Sequence, residues 1–315
     1  MLTLPWHDQP SRYFSRAWPA WKWGWNCCCG CSEVGYYYTG YDSGATRTND
    51  GQKYESTDTY TTITDCPTPV RGGVMGTAIS GKAYAFGGTD SPGSFVRDND
   101  EYTPAGDSWS SKTDLATPQR AHGGAGTLGD YGYYFYGQNS TISYNLDTDR
   151  YDPSGDSWAA KSNAPSTTRL SVRYGETADR LVSACGNASA GGGLRDTETY
   201  QEDGWTSESD SPTPERGANV RGMDAGSGFG CVGGASGSGA MRDHDVCNPG
   251  SSWVSKTDCP TPARYFNAGF TICDVGYSIG NGSGVTADND SWVDDVWSAE
   301  TDQPATQYWC ASCAL

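Results

Sequence analysis

The chain has 315 residues, and glycine (42), tyrosine (20) and tryptophan (12) stand out against nine leucines and four methionines. That balance favours short strands and tight turns over helices. A net charge of −17 lacks the basic footprint that a phosphate backbone needs, so nucleic acid is excluded as a partner, and no run approaches the roughly 18 apolar residues of a membrane span.

Residues 1–33 hold Trp6, Trp18, Trp21, Trp23 and Trp25 together with Cys27, Cys28, Cys29 and Cys31. Trp21, Trp23 and Trp25 alternate, as on one face of a strand. Two readings stand side by side: an irregular cover packed on the rest of the chain, or a partner-docking arm, since clustered aromatics make strong interface anchors.

From Val34 onward a unit of about 48 residues recurs. Its clearest copy is 253–264 (WVSKTDCPTPAR), with others at 60–71, 109–120, 158–169, 205–216 and 297–308. Tyr60, Trp109, Trp158, Trp205, Trp253 and Trp297 anchor these copies, in steps of 49, 49, 47, 48 and 44 residues. Each unit begins with an apolar-aromatic strand ending in glycine, as at 82–88, followed by a Gly/Ser/Asn/Asp loop. An alternating strand comes next, such as Asp98-x-Asp100-x-Tyr102 or Asp147-x-Asp149-x-Tyr151. The anchor aromatic follows, and its proline-rich sequel is a crossover, because proline cannot donate to a ladder. The Arg-led segment after it (71–79, 120–128 and 264–273) is the next strand. Four strands per unit, repeated six times, predict an all-β propeller of six four-stranded blades.

The order Gly87-Gly88, Tyr102, Trp109 resembles the kelch repeat, and Gly233-Gly234 with Trp253 follows it next best. Other units depart: the glycine is single at Gly137, Gly186 and Gly280, and Tyr60 replaces Trp. The resemblance covers about residues 34–308 and implies a kelch-type propeller, a fold that serves enzymes, adaptors and surface proteins alike.

The last crossover delivers 308–315, a first strand with nothing after it. We expect it to become the innermost strand of blade one. The alternative is a seventh blade completed by residues 1–20. Twelve cysteines suggest disulfides formed in an oxidising place, although residues 1–14 lack the basic start and apolar core of a signal peptide. Cys310 or Cys313 would pair with one of 27–31, and Cys231 and Cys247 are further disulfide candidates. Zinc fits less well, since Cys310 and Cys313 have CxxC spacing but the run Cys27 to Cys31 is too crowded for a standard zinc knuckle.

The Asp-x-Asp pairs raise calcium as a cofactor. Their place in nearly every unit points instead to a structural polar face, so no cofactor or metal site is assigned. Arg71, Arg120, Arg169, Arg216 and Arg264 could form an anion ring, but an Asp or Asn six residues earlier offers each a structural ion pair or turn contact. Gly-Asp-Ser-Trp lacks the order of the sialidase Asp box. His7, His122 and His244 are too scattered for a copper-radical oxidase. Sequons at Asn139, Asn187, Asn281 and Asn289 are expected by chance. No catalytic set is legible, and the chain reads as a non-enzyme.

Arrays of this DSWxxKTDxPTPxR type resemble kelch-like proteins of bacteriophage and environmental viruses. The resulting expectation is a virion structural protein: a fibre, tail-tip or capsid-decoration propeller. It would sit on an extracellular particle, in multiple copies with other virion proteins, with a host glycan or receptor as a further partner. The alternative is a secreted or cell-surface carbohydrate-binding propeller.

Overall fold

The computed structural model describes residues 34–315, apart from 43, 92, 117, 140–143, 166–168, 189–191, 213, 216, 218–219, 226–227, 237–238, 265–266, 282–285, 305 and 309. The tryptophans of the expected docking arm and Cys27, Cys28, Cys29 and Cys31 therefore lie outside the described residues.

Six four-stranded antiparallel sheets form the blades of a β-propeller. Blade 1 runs outward from Ala311–Ala314 through Val34–Asp42 and Arg47–Glu55 to Thr59–Ile63, with Gln307–Tyr308 also paired to Val34–Asp42. Blade 2 comprises Met75–Ile79, Lys82–Phe86, Asn99–Thr103 and Ser108–Lys112. Blade 3 comprises Gly124–Leu128, Tyr131–Phe135, Thr148–Asp152 and Ser157–Lys161. Blade 4 has Arg173–Glu176, Leu181–Ala184, Thr197–Gln201 and Gly204–Ser207. Blade 5 has Met223–Ala225, Gly228–Val232, His244–Cys247 and Trp253–Lys256. Blade 6 has Ala268–Ile272, Val275–Asn281, Thr286–Val293 and Val296–Ala299.

The C-terminal strand closes the ring. Ala311 pairs with Tyr38 and Ala314 with Gly35, so the end of the chain supplies the innermost strand of the first blade. This strand exchange sets the blade number at six and overturns the seven-blade alternative. Closure also removes the lateral ends that an open stack of sheets would expose.

The crossovers explain the repeat's proline-rich segment. In each copy the residue after the Asp or Asn (Cys66, Leu115, Ala164, Ser211, Cys259 and Gln303) is buried. Its N–H donates to a carbonyl near the start of the third strand, as Cys66 to Asn49 at 2.9 Å and Leu115 to Arg97 at 2.8 Å. The preceding polar residue stays exposed, and the prolines carry the chain over the sheet end without leaving ladder donors unpaired.

Between blades lie aromatic wedges. Trp158 packs on Phe86 (5.1 Å) and Tyr151 (5.0 Å), and Trp205 on Phe135 (5.4 Å) and Tyr200 (5.3 Å). Rings of this size remove large apolar areas from water at each seam. The antiparallel order puts the first-to-second and third-to-fourth turns at one end of every blade, the turn face. The second-to-third loops and the crossovers lie at the other end, the loop face.

Candidate functional site

The arginines that open each unit are consumed inside the scaffold. Arg71, Arg120, Arg169 and Arg264 are fully buried. Each guanidinium meets the second acid of the alternating strand: Arg71 with Asp100, Arg120 with Asp149, Arg169 with Glu198 at 2.8 Å, and Arg264 with Asp290. Nη1 of each also reaches main-chain carbonyls, such as Gly87 and Asp98 for Arg71. This corrects the expected partner six residues earlier. Asp65, Asp114, Asn163 and Asp258 remain exposed at the crossover while the arginine turns under the sheet end. Arg216 lies outside the described residues. Burial pushes Asp100, Asp149 and Asp290 above the usual carboxylate range, against the lowering pull of their arginines. Such a pair contributes little net stability but is costly to break.

The six anchors lie on the outermost strands, where a second repeated device crosses the seams. Nε1 of Trp109 donates to the Thr64 carbonyl of the preceding blade at 2.8 Å, and Trp158, Trp205, Trp253 and Trp297 do the same to Thr113, Ser162, Ser209 and Thr257. At Tyr60 no indole is present, and the ring packs on Tyr54 at 4.8 Å. Turn aspartates in the left-handed region accept neighbouring backbone N–H groups: Asp107 from Thr64, Asp156 from Thr113 and Asp295 from Thr257. Asp58 takes Thr301 and so fastens the last blade to the first. These bonds hold Asp107 and Asp295 below the usual carboxylate range, and the Tyr151 hydroxyl together with the Thr113 N–H does the same for Asp156.

The axis is different, because its contacts occur once each. Arg221 leads into blade 5 and donates to the Gly76 carbonyl of blade 2 at 2.9 Å, with its other arm on Glu176 of blade 4. Ser312 donates to the Gly269 carbonyl, and Thr77 meets Thr127 at 2.8 Å. Above this plug lies a cavity of about 370 Å³, lined by Glu176, Thr177, Arg221, Thr271, Cys273 and Asp274 among others. Burial pushes the Glu176 carboxyl above its ordinary range, opposed by Arg221. A carboxyl held so beside a guanidinium can take or give a proton, or hydrogen-bond a small polar ligand.

Sequence reasoning missed this site. Five residues after the repeat arginine stand Gly76, Ala125, Tyr174, Arg221 and Gly269. Aligning the units on that arginine would have shown Tyr174 and Arg221 as the two departures from small residues.

No disulfide joins any two of the described cysteines, which corrects the expectation for Cys231 and Cys247. Cys231 faces Asp245 and Cys247 faces Phe229, so the two thiols are diagonal neighbours rather than a directly opposed pair. Diagonal positions lie roughly 7–8 Å apart, beyond the reach of a bridge. Cys310 and Cys313 share no bond, and any pairing with 27–31 falls outside the described residues. Burial raises the Cys313 thiol to about 12.

Among the described residues no cluster of three or more His, Cys, Asp or Glu is placed to hold a metal. His244 is buried against Trp292 at 4.6 Å, while His122 starts blade 3 on the loop face.

No protein-family model matches the chain, and no curated protein matches it. The solved structure of YjhT is similar in fold, with a TM-score of 0.69 at 15% identity, covering 87% of this chain and 98% of that one. It is one of 362 solved chains that match. At that identity the likeness speaks for the propeller fold and not for an activity.

Proposed function

We propose that this protein is a non-enzymatic binding propeller, a virion structural protein of the fibre, tail-tip or capsid-decoration kind that docks to other particle proteins and offers its loops to a host-surface receptor. The observation that carries this reading is the division of labour between scaffold and loops. The repeated arginines, acids and tryptophans are engaged within and between blades. The segments joining second to third strands, by contrast, differ from blade to blade and are rich in Ser, Gly, Asn and Thr. Small polar residues on a rigid frame make an adaptable hydrogen-bonding surface. The kelch-like repeat type and the tryptophan-rich segment 1–33 support the particle assignment.

A secreted or cell-surface carbohydrate-binding propeller is the second reading, favoured by the polar cavity above Arg221 and Glu176. Gold-labelled antibody to the chain on purified particles tests the first reading directly. Regular labelling at one structural position is expected. Labelling confined to cell surface or medium would support the second reading. Turnover of a small substrate by the intact chain, abolished by Glu176→Gln, would overturn both.

A further inference from the structure

We propose that a second cavity, in the seam between blades 2 and 3 on the turn face, is a binding site for a neutral pyranose ring. The cavity measures about 430 Å³, within the size range of small-molecule sites and roomy enough for one or two sugar rings.

Its blade 2 wall carries Lys82 and Lys112, both directed onto Glu101 at 2.7 and 3.4 Å. The Glu101 side chain is only 6% exposed, and its other oxygen accepts the Tyr84 hydroxyl. Desolvation opposes ionisation there, but the bonds from Lys82 and Tyr84 prevail and hold the carboxyl below its ordinary range. Each ammonium has three donors; Lys82 gives one to Glu101 and Lys112 only an ion pair, which leaves donors for a ligand.

The opposite wall, from blade 3, presents Asp130, which also accepts the Ser80 hydroxyl at 3.4 Å, and Asp152, whose Oδ1 is held by Ser154 and Gly155. Both lysines direct their ion pairs to Glu101 and not across the opening to these acids. Donors therefore face acceptors across a gap, and a sugar hydroxyl, which both donates and accepts, can satisfy the two walls together. Tyr131 and Pro153 add apolar surface for the C–H face of a ring. Tyr131 is held in place by Arg150, whose guanidinium lies 4.1 Å from the ring centroid. A wall fixed in advance loses less entropy on binding.

The seam is built from departures from the repeat. The pairing registers place Glu101 where the other blades carry Lys53, Arg150, Thr199, Val246 and Ser291. Nothing in ring closure requires this acid between two lysines, and no other blade has it. The inference rests on the chain being a binding propeller, with the sugar held on the turn face rather than by the loops of the opposite face, and its test uses the isolated full-length chain and is independent of any particle.

Saturation-transfer NMR with lactose, cellobiose and maltose as free probes, and with the same sugars immobilised, would separate a soluble sugar from a glycan end. Transfer from at least one probe is expected, with affinity lowered at least tenfold in Lys112→Gln and in Asp130→Asn at unchanged thermal midpoint. Asp274→Asn, in the axial cavity, should leave binding as it was. Three outcomes would overturn the proposal: no transfer from any sugar, binding lost in Asp274→Asn but kept in the seam variants, or binding of the zwitterion glycine betaine in place of the sugars. Particle labelling that survives a failed sugar titration would sink this site and leave the docking role standing.

Discussion

The rim and the axis of this propeller obey different rules. At the rim the same indole-to-carbonyl bond recurs in five seams, and the same arginine–acid pair recurs in four described blades. At the axis Arg221 to Gly76, Ser312 to Gly269 and Thr77 to Thr127 each occur once. Repetition marks what every blade needs in order to pack on its neighbour. A departure from the repeat marks something the ring itself does not require, and both cavities are lined by such departures.

The largest expected effect follows from breaking the rim. Arg120→Ala leaves Asp149 buried without its cation, and urea unfolding should show a loss of about 3–5 kcal/mol. The double variant Arg120→Met with Asp149→Leu should cost much less, because both charges leave together. Equal losses in the two variants would show that the pair is not the source of the effect.

Acid should act next, in two windows. Burial, helped by nearby Arg47, lowers His122 to about 4, whereas an unfolded histidine takes its proton near 6.5. The folded state thus binds fewer protons between these values, and stability falls from about pH 6.5 to 4, by up to about 3 kcal/mol. The seam aspartates have folded pKa values below the unfolded value, so their contribution is present above about pH 4 and is lost as pH falls further. His122 has φ +59°, a conformation that asparagine tolerates. His122→Asn should therefore remove the first window in a pH series of thermal midpoints and leave the second. Loss of both windows would mean that the seams are not what acid loosens.

The smallest effect is expected at the axis. Arg221→Met frees Glu176 beside an open cavity, where a carboxyl already pushed upward can bind a proton instead of remaining as a lone buried charge. A stability change of about 1 kcal/mol is expected, near the scale of a single net hydrogen bond. A loss as large as that of Arg120→Ala would mean that the axial contact belongs to the scaffold after all.

Period, strand order and strand exchange were all legible in the chain, because a blade cannot bury its faces alone and so writes the same packing demands into every unit. Trp253, Pro260 and Arg264 could each be assigned an element from their unit alone. What each residue touches was not legible. Arg71 and Asp100 are 29 residues apart, and only the folded crossover shows that they meet while Asp65 stays in water. Cys231 and Cys247 lie on adjacent strands, yet register makes them diagonal. Glu176 and Arg221 belong to different blades, and Arg221 reaches Gly76 across 145 residues only because the ring closes. Local packing repeats with the sequence, so the sequence by itself determined the propeller. The cavities arise where unlike blades converge, and that convergence was decided only by the tertiary structure.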